Sequence, residues 1–179
     1  MRILGIDPGL ITTGFGVVEI KDGHAKILEV GTIEPNTKDL FEQRLFKVHL
    51  HITTILQTHK PDVVVLEKLY AHYNHPATAT VLGHVRGVIC LAVAQEKAQL
   101  VEQSVKRIRK ALIGNGNATK IQVQEFVKRL LNIKSVGFKL DASDALALAL
   151  GQAHMMRYKL IWLQLLKVRF QVRVMRRSF

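Results

Sequence analysis

The sequence is poor in the residues that make stapled, linker-rich or secreted chains. A single cysteine, Cys90, excludes an internal disulfide and any multi-cysteine zinc site within one chain, and fits a reducing compartment. With only four prolines and no Pro- or Ser-rich stretch, nothing divides the 179 residues, so one globular domain is expected. No uninterrupted apolar run reaches 18 residues, and MRILGIDPGL meets an Asp and a Pro too early for the apolar region of a signal peptide. A cytoplasmic protein with no membrane partner is therefore expected. Acidic residues are scarce as well: 14 stand against 26 Lys and Arg, a formal net charge of +12, and none follows Asp144. Such an excess favours a polyanionic partner, of which nucleic acid is the commonest. Apolar residues, at 48%, are in ordinary supply for a folded protein.

The opening run MRILGID ends in Asp-Pro-Gly and reads as a buried strand stopped by a turn. FGVVEI (15–20) and HAKILEVGTIEP (24–35), joined by Asp22-Gly23, read as a hairpin, giving three antiparallel strands. Over 39–59, Phe41, Leu45, Val48, Ile52 and Ile55 recur at helical spacing. Pro61-Asp62 ends that helix, and VVVLE (63–67) has the continuous β-branched character of a parallel strand buried on both faces. A second helix is expected over 76–96, with Pro76 in its first turn, then a weaker strand QLVEQ (99–103), a basic stretch KRIRK, the loop GNGN and a helix over 119–131. A last helix begins near Asp141. Beyond it the basic residues Arg157, Lys159, Lys167, Arg169, Arg173, Arg176 and Arg177 accumulate, so 1–156 are expected to form the domain and 157–179 a basic tail.

Asp7 and Glu67 each close an apolar strand, and ligands in sheets of this kind gather beyond the carboxyl ends of strands. If the two strands are neighbours, the carboxylates converge at the rim of the core, where they are costly unless paired or bound to a cation. Asp141 and Asp144, three apart in DASD, share one side of a helix's first turn. They can cap that helix and favour its dipole, or they can share a cation. A carboxylate set without cysteine suits magnesium better than zinc, and two such ions about 4 Å apart can drive hydrolysis of a phosphodiester.

LGIDPGLITTGFGVV, VVVLEKLY, GNGNATK and DASDALALAL, in this order and spacing, resemble the RuvC family of crossover junction endonucleases over roughly residues 1–155. The resemblance implies a ribonuclease H-like α/β fold with a mixed five-stranded sheet flanked by helices. It implies a homodimer that resolves four-way (Holliday) junction DNA by symmetric nicking of two opposed strands, working with a branch-migration motor complex. It also implies a metal site of Asp7, Glu67, Asp141 and Asp144 holding Mg2+, two ions per site, for which Mn2+ substitutes. Some relatives carry His at the position of Asp141, which supports a ligand role over capping alone.

By the same resemblance Tyr70 is a base-stacking residue, Lys120 a cation near the scissile phosphate and Arg109 a basic, DNA-contacting residue. A core tyrosine and solvated surface charges are the plainer readings of these three. The helix containing Gly83 and Gly87 is where the family dimerises, although packing against the sheet would also use small residues. His72 and His75 lack a third ligand and are given no metal role. Three rivals remain: a non-catalytic junction-binding protein, a ribonuclease H-like nuclease acting on structured RNA or RNA-DNA hybrid, and an actin-like ATPase using Asp7-Pro8-Gly9 and Gly14 for phosphate. The last needs two lobes, for which the chain is too short. The stretch WLQLLKVRFQVRVMRRSF does not resemble the usual family ending.

Overall fold

The computed structural model describes residues 1–9, 11–68, 76–131 and 141–156. Strands β1 (Arg2–Asp7), β2 (Thr13–Lys21) and β3 (His24–Ile33) form the expected antiparallel meander. Asp22 and Gly23 both adopt positive φ, 51° and 79°, as the two central positions of a primed hairpin turn require. Helix α1 (Phe41–His59) follows and ends where Lys60 turns left-handed and donates its N–H to the Leu56 carbonyl, just before Pro61. Its buried stripe is Val48, Ile52, Ile55 and Leu56; Phe41, expected on that stripe, is instead 37% exposed and meets His84 edge-on at 5.5 Å.

Strand β4 (Val63–Glu67) pairs parallel with β1, and β5 (Gln99–Gln103) pairs parallel with β4, so the sheet order is β3-β2-β1-β4-β5. The crossover between β4 and β5 is helix α2 (Pro76–Gln95), which starts on proline as expected. The basic stretch after β5, left without a secondary structure by the sequence pattern, is a helix. This is α3 (Val105–Ile113), whose Ser104 cap accepts from the Arg107 N–H, and whose Ile108 and Leu112, one turn apart, are buried. Helix α4 (Lys120–Leu130) opens with a capping box in which Thr119 and Gln122 each satisfy the other's backbone N–H. A fifth helix, α5, spans 141–156.

Side chains alternate across a strand, and here the alternation divides the core in two. Leu4, Ile6, Val64 and Leu66 face α1 and α2, packing with Ile52, Leu56, Ile89 and Val93. Ile3, Val63 and Val65 face the other way, packing with Ile108 of α3, Val123 and Val127 of α4, and Leu146 and Ala149 of α5. Helix α5 lies close on β1 and β2 because glycines face it. A methyl group at Gly5 would overlap the backbone of Ala145, one at Gly14 the carbonyl of Asp141, and one at Gly16 the side chain of Leu146.

Candidate active site

Asp7 and Glu67 continue the odd-numbered rows of β1 and β4, so both emerge on the α3–α4–α5 side of the sheet. The parallel register that sets Ile6 beside Leu66 brings their two strand ends together. The tight seat of α5 over Gly5 and Gly14 lowers its first turn onto the same edge. The result is one cavity lined by Asp7, Glu67, Arg109, Lys120 and Asp144, floored by Val105, Ile108, Val123, Ala147 and Leu148. Five of the seven residues singled out from the sequence thus meet in one place.

Charge governs the arrangement. Burial pushes the Asp7 carboxyl up to about 8, and the hydrogen-bonded, negatively charged Glu67 and the nearby Asp144 reinforce the shift, against a smaller opposing effect of Lys120. The Lys120 Nζ donates to Asp144 Oδ2 at 2.7 Å, and this hydrogen bond raises the lysine's own proton affinity, with Asp7 and Asp141 adding to it. Asp144 is therefore engaged from another helix rather than serving only the start of α5.

Asp141 stands half-buried at the head of α5, within electrostatic reach of Lys120 but outside the cavity lining. Among the described residues no three Asp, Glu, His or Cys side chains enclose a point tightly enough to hold an ion by themselves. The donor set is nevertheless one of hard carboxylate oxygens, the kind that suits a divalent cation such as magnesium, which is bound through one or two carboxylates and keeps waters or phosphate oxygens in its remaining positions. The raised proton affinity of Asp7 points the same way, because acids crowded at a half-buried edge share a proton or a cation. Tyr70, His72 and His75 lie outside the described residues, as does the tail 157–179.

One site-forming residue was not evident from the sequence. Arg86 of α2 is 7% exposed; its Nη1 donates to the backbone carbonyl of Glu67 and its Nη2 to Glu102 Oε1. On the opposite face Gln103 Nε2 donates to Gln152 Oε1 at 2.9 Å, tying β5 to α5. An arginine in an otherwise apolar helix, a run in which Arg86 is the only Lys, Arg, Asp or Glu, was the available signal.

Comparison with known proteins gives the family and the fold. A family model described as crossover junction endodeoxyribonuclease RuvC matches residues 3–152. A crossover junction endodeoxyribonuclease RuvC from Rhodopirellula baltica is 40% identical over 148 residues, 83% of each chain. The structure of Thermus thermophilus RuvC superposes with a TM-score of 0.81 at 25% identity, covering 89% of this chain and 97% of that one. T. thermophilus RuvC in complex with Holliday junction substrate gives 0.80 at 23% identity, over 88% and 96%. The mixed five-stranded sheet is thus a ribonuclease H-like fold, and the family match ends within α5, short of the basic tail.

Proposed function

This chain belongs to the RuvC family of crossover junction endodeoxyribonucleases, and from that premise we propose that it resolves four-way DNA junctions by hydrolysing one phosphodiester in each of two opposed strands. The observation that carries the reading is the convergence of Asp7, Glu67, Asp144, Lys120 and Arg109 on one cavity beneath the head of α5. Asp7, Glu67 and Asp144, with Asp141 at the rim, would hold Mg2+, or Mn2+ in its place. When bound, two divalent ions supply the positive charge that activates a water on one side of the phosphorus and steadies the departing oxygen on the other. Asp7 would hold the cation as its carboxylate, so binding would be coupled to loss of its proton. Lys120, its charge secured by Asp144, faces the phosphate and offsets charge that develops during bond breaking. Arg109 offers a planar set of donors to a neighbouring phosphate, and Lys106, Arg107 and Lys110 extend a basic surface along α3. Tyr70 would stack on a base near the branch point.

A homodimer places two such cavities on one junction. Its support is the outer face of α1 and α2, where Phe46, Leu50 and Leu91 are 50–64% exposed and where nothing would meet a side chain at Gly83 or Gly87. The two glycines therefore do not serve packing against the sheet, and an apolar face of this kind marks an interface. Helix α2 is long and apolar enough to cross a membrane, yet Leu82, Val85, Ile89 and Val93 are buried against the rest of the fold, and we assign no membrane partner. The chain is assigned to the cytoplasm, acting with a branch-migration motor complex. A non-catalytic junction binder would have no use for three crowded acids at the cost their proximity imposes.

The test is a mobile synthetic four-way junction incubated with and without Mg2+, with the cuts mapped on all four strands. Paired, symmetric nicks that require the metal are expected. Absence of nicking in both Mg2+ and Mn2+, or preferential cutting of an RNA-DNA hybrid in competition, would rule the reading out.

A further inference from the structure

Among the described residues Arg86 is the one buried Lys, Arg, Asp or Glu, and its guanidinium is divided between two strands. Nη1 takes the backbone carbonyl of Glu67, the last residue of β4, and Nη2 takes the carboxylate of Glu102 on β5, a side chain that is about half exposed. Glu102 lies beside Leu66 in the parallel register, on the α2 side of the sheet, while Glu67 projects its side chain to the opposite side. One more backbone bond, from Lys68 N–H to the Gln103 carbonyl at 2.8 Å, closes the end of the ladder.

We infer that Arg86 is a positioning residue for the Glu67 carboxylate: by gripping the peptide on one face of β4, it fixes the direction in which the acid enters the cavity on the other face. The inference rests on the nuclease reading above. Its physical basis is that the gripped carbonyl and the functional carboxylate share one Cα, so turning that peptide swings the side chain. Metal sites tolerate deviations of only about 10–20° in such groups. A guanidinium can hold two acceptors on separate strands in one plane, whereas a lysine ammonium is a point charge on a flexible stem and cannot reproduce that fork. Glu102 supplies the negative charge that makes the buried cation tolerable. A clamp serving stability alone would alter unfolding and leave the metal requirement of the folded fraction unchanged.

The full chain carrying Arg86→Lys, and separately Glu102→Gln, tests this with three readouts: the metal concentration for half-maximal junction cleavage, the Mn2+-induced rise in Tm without DNA, and the urea unfolding midpoint. Arg86→Lys is expected to raise the metal requirement about 10- to 100-fold, the range typical of residues that orient metal ligands, and to reduce the Mn2+-induced rise in Tm by more than half. Glu102→Gln keeps an acceptor at a half-exposed position, folds, and raises the requirement by a smaller factor, about 3- to 10-fold. Junction binding without divalent metal stays within about twofold in both, since neither side chain lines the basic surface. Wild-type metal requirement and wild-type Mn2+ stabilisation in both variants overturn the assignment, as does a loss of cleavage that only tracks the unfolded fraction. Should Arg86→Lys fail to fold, Glu102→Gln decides alone. A wild-type chain that is stabilised by Mn2+ but does not cut junctions defeats the nuclease reading, and the Mn2+ comparison among variants still decides the role of Arg86.

Discussion

Under the nuclease reading Asp7 carries opposite consequences for stability and for catalysis. In the metal-free protein its carboxyl, with a folded value of about 8 against 3.8 for the free side chain, keeps its proton across the interval in which the unfolded chain has lost it. The folded state therefore binds more protons than the unfolded state between about pH 4 and pH 8, and its stability falls as pH rises through that window. Asp7→Asn removes the penalty. We expect this variant, in EDTA, to be more stable than the wild type at pH 8.5 by an amount on the order of 1–3 kcal/mol, with the gap closing toward pH 4, as urea denaturation at the two pH values will show. The same variant should bind junctions normally and cut at least about 1000-fold more slowly. A wild-type cleavage rate would remove Asp7 from the site. Lys120→Met frees Asp144 and deletes a fixed cation; single-turnover cleavage should drop about 100-fold while the junction Kd moves only a few-fold, and Lys120→Arg should recover part of the loss.

At the scale of elements, the seat of α5 decides whether the acids meet. Gly5→Ala sets a methyl group into the backbone of Ala145, in a place where no flexible side chain can give way, so the helix must lift. Thermal or urea unfolding should register a loss of at least about 1–3 kcal/mol, with cleavage falling further than stability alone explains. Gly83→Ala is the matched control: its methyl group meets nothing, and a helical glycine replaced by alanine should stabilise the monomer by about 0.5–1 kcal/mol. Most elements were legible because their signals were local. The Asp22-Gly23 turn, the β-branched run before Glu67 and the Pro76 start each carry their own geometry. Helix α3 was obscured because four basic residues surround its two buried positions, Ile108 and Leu112, and its capping Ser104 is followed by no acidic first turn. Asp7, Glu67, Asp144 and Lys120 were legible through strand-end placement and family resemblance. Arg86 was not, since its partners are a backbone carbonyl and an acid on another strand, and neither leaves a spacing in the chain. Nor could the sequence foretell that Asp144 would lean on Lys120.

For the whole molecule, the net charge of +12 suits a DNA partner, and the bare outer face of α1 and α2 is the surface on which the proposed dimer is tested. Gly87→Trp places a large ring on that outer face without entering the core. Light scattering after size exclusion should report a monomer, and mapping of junction cuts should show the coordination of paired nicks lost, because each subunit then cuts alone. An undisturbed dimer would move the interface elsewhere.

The odd-numbered row of β1 that ends in Asp7 also contains Ile3 and Gly5, and that of β4 ending in Glu67 contains Val63 and Val65. The proposed cutting site and burial of the interior thus depend on one and the same pleat. Were either strand to be threaded one residue out of step, its acid would turn to the α1–α2 side of the sheet, away from Lys120 and Asp144, while its apolar residues would only exchange one buried face for the other. Under the nuclease reading, the pairing of β1 with β4 thus guards the cavity more strictly than it guards the core, since a slipped strand could stay buried yet carry its carboxylate to the wrong side.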